Sequence, residues 1–589
     1  MSFGKAFLSS CLGALVAMIV FVFLAVFFIG GLISSASSDE QVVIADNSVL
    51  HLKLDAQISE LQQEDPFAGL PIVGGNVPKV GLLQLKDAIK HAKTNDKVKG
   101  IYLEVSYPMT GFASLEEIRE SLIDFRESGK WVVSYNEVMS EGAYYLASAA
   151  DKVYLHPEGE IEFNGLTAEI GFYKNLLDKL EIKPQVFRVG EFKSAVEPFL
   201  LDKMSVENRT QLQEMVNSIY DHVLTKISES RNVPKDVLKN VSDKMQIHNA
   251  AAAVEFKLVD SLLYMDQFQK NLQSRVGVDD IDDIKLVKYN RYRKSYSNYK
   301  SSKNEIAVIV AEGAIIPGSN DESEQVIAAD RFVEEIRKAR ENDNIKAVVL
   351  RVNSPGGEFR SSDMIWREIE LTKKEKPVIA SMSDYAASGG YYVAMGCDTI
   401  VAQPHTITGS IGIFGILFDM SDFLGNKLGI TFDEVRTGDF GDTYTVTRPL
   451  NQAEKNFIQK NLEDHYNTFT QKAAEGRGVN QSHILSVASG RVWTGSQAKE
   501  RKLVDVLGGF NDAVEIAARR ASISDDYKVR FYPREKPFLE QLMTQLEENA
   551  MADRMESELG DLKVYYKQMK KVQRYQGAEA ILPFELQIH

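Results

Sequence analysis

The chain has 589 residues, of which 44% are hydrophobic and 26% charged, an ordinary globular composition with enough length for two sizeable cores. Its formal charge of −15 lacks the concentrated positive charge that phosphate binding needs, which excludes a nucleic-acid protein. Two cysteines, Cys11 and Cys397, make no thiolate metal cluster, and with no HExxH, P-loop or GxGxxG pattern neither a metal nor a nucleotide cofactor is expected.

From Cys11 to Ile33 no residue is charged. About 20 apolar residues span a bilayer and a secretory h-region is shorter, about 7–15, so the run predicts an uncleaved transmembrane helix. Lys5 before it and Asp39-Glu40 after it place the amino terminus in the cytoplasm and the bulk of the chain in the periplasm. The chain then divides into an anchor and stalk (1–46), a first α/β repeat (47–286), a basic linker (287–304), a second α/β repeat (305–535) and a helical tail (536–589).

The repeats show in the residues themselves. Asn95-Asp96-Lys97-Val98-Lys99-Gly100 reads against Asn342-Asp343-Asn344-Ile345-Lys346-Ala347, and the same offset maps Tyr144-Tyr145 onto Tyr391-Tyr392 and Asp151 onto Asp398. A period this long means duplicated domains, since solenoid repeats are much shorter. Each copy opens on an apolar strand (Val49 to Leu54; Ile306 to Val310). A helix (Leu85 to Lys93; Arg331 to Arg340) and a second apolar strand (Gly100 to Val105; Ala347 to Val352) follow. Short apolar strands alternating with helices predict largely parallel sheets in an α/β fold. Later, Asn451 and Glu454 form a capping box for a long helix, matched by one from Ser205 to Ser230, each expected to pack on its own sheet. Lys288 to Lys303, basic and tyrosine-rich, reads as a linker, and the tail after Pro537 as helix-prone.

The copies differ where chemistry would sit. Thr408-Gly409-Ser410-Ile411-Gly412 puts a hydroxyl between glycines, where the first copy has Leu166; Phe192-Lys193 of the first copy meets Phe440-Gly441 of the second. Serine is a poor nucleophile without a base, and a deprotonated lysine supplies one, so copies packed face to face would assemble one Ser/Lys pair. Asn353-Ser354-Pro355-Gly356-Gly357 follows a buried strand and exposes backbone N–H groups as an oxyanion hole does, whereas the first copy has Ser106-Tyr107-Pro108-Met109-Thr110. Ser388, in Ala386-Ala387-Ser388-Gly389-Gly390-Tyr391-Tyr392, is a rival nucleophile at a helix entry; its other reading is a small residue that lets helices pack closely. His405 permits a Ser-His pairing but, beside Pro404, reads as a loop residue.

Together with Lys193-Ser194-Ala195-Val196-Glu197-Pro198-Phe199 and Gly490-Arg491-Val492-Trp493-Thr494-Gly495, these motifs resemble the signal peptide peptidase A (protease IV) family in its long tandem-repeat form. The resemblance implies two tandem Clp-peptidase/crotonase-like domains and a bowl-shaped homotetramer. It also implies an inner-membrane serine endopeptidase acting on cleaved signal peptides and other apolar peptides. By position it makes Ser410 the nucleophile, Lys193 the general base and the Gly356-Gly357 turn an oxyanion donor. The Clp peptidases, which the Asn353 to Gly357 segment also resembles, carry their nucleophile in a segment like that around Ser388.

An ordinary lysine, with a pKa near ~10.4, is protonated at neutral pH, so Lys193 needs burial to act as a base. Phe192, Ala195, Val196 and Phe199 are placed to exclude water once the second copy covers them, and Glu191 and Glu197 would oppose the shift unless they point away. Two other functions fit the same features: a crotonase-like acyl-CoA enzyme, which an extracytoplasmic location disfavours, and a non-catalytic membrane scaffold of decayed protease domains, which the complementary retention of serine and lysine disfavours.

Overall fold

The computed structural model describes residues 42–62, 78–296, 302–319, 326–532, 578–581 and 587–588, together with helical positions Gly13, Val16, Ala17, Met18, Val20 and Phe21. The rest of the expected anchor, Cys11 to Ile33, lies outside the described residues, and among those described no helix is long and apolar enough to cross a membrane.

Both copies build one six-strand order. In the first, Lys285–Lys288, Ser48–Lys53, Val98–Glu104, Trp131–Met139, Lys152–Ile161 and Ser261–Leu262 lie side by side, all parallel. In the second the order is Lys528–Tyr532, Glu305–Glu312, Ile345–Ser354, Val378–Ala387, Thr399–Ala402 and Val506–Leu507, again all parallel. Helices cover both faces of a parallel sheet, so the central strands are apolar nearly throughout: Ile101, Leu103, Val348, Val349 and Leu350 are all buried. The far end of Val378–Ala387 pairs with Ile407–Gly409, whose other edge pairs antiparallel with Val492–Thr494.

A third sheet joins the copies. Its order is Val326–Ala328, Ala314–Ile316, Gly356–Glu358, Glu579–Ile581, Ile413–Asp419 and Lys183–Val189, so a strand of the first repeat completes a sheet of the second. Lys183–Val189 runs antiparallel to Ile413–Asp419 over its whole length. The tail, read as helical, thus contributes a strand at Glu579–Ile581: its Ala580 is fully buried and two flanking edges need partners.

The two long helices follow their caps. Val206–Arg231 starts at Ser205, whose side chain accepts from the Asn208 amide, and Gln452–Arg477 starts at the Asn451/Glu454 capping box and stops at left-handed Gly478. Each packs on its own core, and each also reaches across: Gln211 accepts from the Val492 amide at 3.2 Å, and Gln459 Nε2 donates to Arg188 O at 3.4 Å. The start of the expected linker is instead part of the first repeat. Lys285–Lys288 is its edge strand, and Tyr289 and Tyr292 are buried, with the Tyr292 hydroxyl 2.9 Å from His91 Nδ1. The basic composition hid tyrosines that serve the core.

Charged contacts lock the seam. Arg351, wholly buried in the second repeat, donates to Glu60 at 2.7 Å and Glu117 at 2.7 Å, both in the first, while Lys86 also pairs with Glu117. Burial alone would raise the Glu117 carboxyl, but Arg351 and Lys86 outweigh it and hold its pKa down at about 2. Asp384 of the second repeat caps the first-repeat helix Phe112–Glu127, accepting from Ser114 N at 2.9 Å and Gly111 N at 3.2 Å. Removing one partner of a buried pair strands the other charge, so Arg351→Ala is expected to lower stability by about 3–5 kcal/mol. The midpoint of chemical denaturation measures this, and an unchanged midpoint would contradict the network.

Candidate active site

Lys193 enters the site at the end of Lys183–Val189, just before the 3-10 turn Ser194–Val196. The strand's pairing with Ile413–Asp419 carries it into the second repeat, where Phe192 N donates to Ser489 O at 2.9 Å. The side chain is fully buried. Nζ lies 2.8 Å from Ser388 Oγ, 3.0 Å from Ser410 Oγ and 3.2 Å from the Ser410 carbonyl oxygen. The Phe414 ring centre is 6.0 Å away.

Burial pushes the Lys193 pKa well below the ordinary lysine value, opposed by the charge of Glu579. Burial, helped by Glu358, raises the Glu579 carboxyl to about 8, so it is mostly protonated near neutral pH and opposes little. Glu197 points away: Ser205 Oγ donates to it at 2.6 Å and Asn208 Nδ2 at 2.9 Å, and Glu191 is exposed. Val196, Ala195 and Phe199 pack with Phe414, Ile416 and Phe418 of the second repeat, and this apolar cover keeps water from the amine.

A neutral amine has two N–H donors and one lone pair. The Ser410 carbonyl can only accept, so it takes one N–H; one N–H and the lone pair remain for the two hydroxyls. The distances do not choose between the serines, but their surroundings differ. Ser388 sits at φ 56°, ψ −114°, in a sparsely populated region for a non-glycine residue, immediately before the helix Gly389–Ala394. Its neighbour Gly389 lies against the Gly356-Gly357 turn: a Cβ at Gly356 would stand 2.8 Å from Gly389 N, and a Cβ at Gly389 3.0 Å from Gly357 N. Ser410, at φ 50°, lies in a turn whose amide donates to Arg491 O at 2.7 Å.

The tail strand crosses this spot. Ala580 pairs with Gly357 and Ile581 with Gly356, while on the other side Glu579 pairs with Phe414. The Ala580 carbonyl oxygen would be 2.0 Å from a Cβ at Gly356 and 3.0 Å from one at Gly389, so the missing side chains make room for a peptide carbonyl beside the Gly357 and Gly389 amides. His405 is buried away from both serines, beside Tyr145, His222 and Glu116.

Ser410, Ser388 and Lys193 thus converge on one amine, with the Gly356-Gly357 turn beside Ser388. Gly389, Gly490 and the Glu579–Ile581 strand were not singled out for this site by the sequence. The Gly-Gly pair after Ser388 was the available signal for the first, whereas three tail residues carry no pattern.

A buried amine, its pKa lowered by burial, between serine hydroxyls on a scaffold of two like α/β repeats is the arrangement of a serine hydrolase. A family model described as "Peptidase family S49" matches residues 124–279 and again 370–524. The chain is 32% identical to Protease 4 of Haemophilus influenzae over 534 residues, 88% of this chain and 86% of that one. It is 35% identical to Protease 4 of Salmonella typhi over 471 residues (78% and 75%) and 32% identical to the chloroplastic serine protease SPPA of Arabidopsis thaliana over 500 residues (84% and 72%). The chain belongs to peptidase family S49, with the family domain in two copies, and is a serine protease.

Gly490 fixes the lysine from behind. It has φ +78°, and a Cβ there would stand 2.6 Å from Lys193 Cβ and 2.7 Å from Lys193 N. Gly490→Ala is therefore expected to cost about 1–3 kcal/mol and to displace Lys193. A folded Gly490→Ala enzyme should show a clear loss of kcat against a peptide substrate, and wild-type kcat would contradict this packing.

Proposed function

We propose that the protein is a membrane-anchored endopeptidase that cleaves extended apolar peptides, cleaved signal peptides among them, with Ser388 as nucleophile, Lys193 as general base and the Gly357 and Gly389 amides as oxyanion donors. This exchanges the roles that sequence resemblance implies for Ser410 and Ser388. The observation that carries it is the Ala580 carbonyl, seated beside the Gly356-Gly357 turn and Gly389, next to Ser388. The tail strand stands in for a substrate backbone added between two sheet edges.

Neutral Lys193 accepts the Ser388 proton as Oγ bonds to the peptide carbonyl carbon, and the oxygen, now negative, receives the two amide N–H groups. Lys193 then gives that proton to the leaving nitrogen as the C–N bond breaks, leaving an acyl-serine. Water attacks the ester while Lys193 takes its proton and returns it to Ser388 Oγ. Ser410 accepts from the lysine through its carbonyl and hydroxyl, and so aims the lone pair at Ser388. The Clp-peptidase-like architecture, a homotetramer, the inner-membrane location with periplasmic domains and the absence of any cofactor in the chemistry belong to the same reading.

An acylating inhibitor or peptide boronate should modify Ser388, and Ser388→Ala should abolish hydrolysis while Ser410→Ala slows it. Label on Ser410, with an active Ser388→Ala enzyme, would restore the original assignment. Only the unprotonated amine is a base, so kcat/KM should rise with pH through the folded-state pKa of Lys193, which lies below the ordinary value of 10.5. Lys193→Arg, which stays charged, should lose about 10²–10⁴-fold in rate. In cells, the chain should fractionate with the inner membrane and be digested only from the periplasmic side; a soluble form starting near Ser37 would show that Cys11 to Ile33 is a cleaved signal.

A further inference from the structure

Three side chains from different elements, spread over 289 residues of chain (405 − 116), meet at the seam between the repeats. Glu116 lies on the first-repeat helix Phe112–Glu127, His222 on the first-repeat helix Val206–Arg231, and His405 on the second-repeat turn before Ile407–Gly409. One ligand atom of each falls within 4.8 Å of the other two. His222 Nε2 is 3.6 Å from Glu116 Oε1 and His405 Nε2 is 4.0 Å from Glu116 Oε2, both beyond a good hydrogen bond.

These groups are unusually short of partners. His222 Nε2 is buried with no hydrogen bond, as is His405 Nδ1, while His405 Nε2 lies 3.4 Å from the Tyr145 hydroxyl. A buried nitrogen left unsatisfied is unfavourable and calls for an explanation such as an ion. Two imidazoles beside one carboxylate are that explanation's donor set: two histidines and a glutamate suit zinc, with water completing a four-coordinate shell. The Tyr145 hydroxyl donates to Glu116, the outer-shell contact that orients a ligating carboxylate. His222, with 24% of its side chain exposed against 1% for His405, is the side from which an ion enters.

We propose that Glu116, His222 and His405 form a zinc site that ties the first repeat to the turn leading into Ile407–Gly409 and Ser410. The ion is a structural clasp, separate from the hydrolytic chemistry: it needs no change in Lys193 or Ser388, and it stands whether or not Ser388 proves to be the nucleophile. No sequence pattern announces it, because the ligands come from three distant segments.

The test is zinc content and affinity of the full chain, measured by elemental analysis after dialysis against Zn²⁺ and by competition with a chromophoric chelator. One zinc per chain is expected for wild type, with loss of stoichiometric binding in His222→Ala. Tyr145→Phe should keep the site but weaken it about tenfold. Zinc should raise the melting temperature of wild type and not that of His222→Ala. His222→Gln, which keeps the volume, replaces His222→Ala should the latter fail to fold. Wild type without zinc above background, or undiminished binding in the His222 variants, would overturn the proposal.

Discussion

The site depends on the removal of water from one ammonium group. Taking a charged lysine out of water costs several kcal/mol, so a fully buried position favours the neutral amine and lowers its pKa. Both repeats contribute to that condition, since Val196, Ala195 and Phe199 beside Lys193 pack with Phe414, Ile416 and Phe418 of the second. The second repeat has no matching amine, with Gly441 where the first has Lys193 in the paired segments. The structure brings Lys193 of one copy and the Ser388 and Ser410 hydroxyls of the other to one point.

The same interdependence reaches the fold. Both carboxylates that pair with Arg351 belong to the other copy, and Asp384 caps a helix that has Gly111, without a side chain, at its own start. Lys183–Val189 leaves its own sheet to pair with Ile413–Asp419, which sets the lysine at the mouth of the Ser410 turn. Strand exchange, ion pairs and capping all cross one seam, so anything that shifts the repeats relative to each other moves Lys193 away from Ser388 and Ser410.

Much of this was legible in the chain. Strands buried on both faces read as apolar runs, the Asn451/Glu454 capping box reads directly, and the complementary absence of serine and lysine pointed to a pair built across the copies. What stayed hidden is tertiary. Ser388 and Ser410 both precede or follow glycine in similar turns, and only the placement of Gly389 against Gly357 tells them apart. Tyr289 and Tyr292 looked like linker because their neighbours are basic, though a core takes the ring and ignores the flanking charge. The tail strand is too short for a period of two to register.

The third sheet has a further consequence. Between Gly356–Glu358 and Ile413–Asp419 it keeps a lane one strand wide, here filled by Glu579–Ile581. A lane of this kind grips the main chain, whose amides and carbonyls are the same in every sequence. What it rejects is a polypeptide whose backbone groups are already paired within its own helices and sheets. Selection therefore acts first on foldedness and only then on side chains, which suits a peptidase sharing its compartment with native proteins it must leave intact.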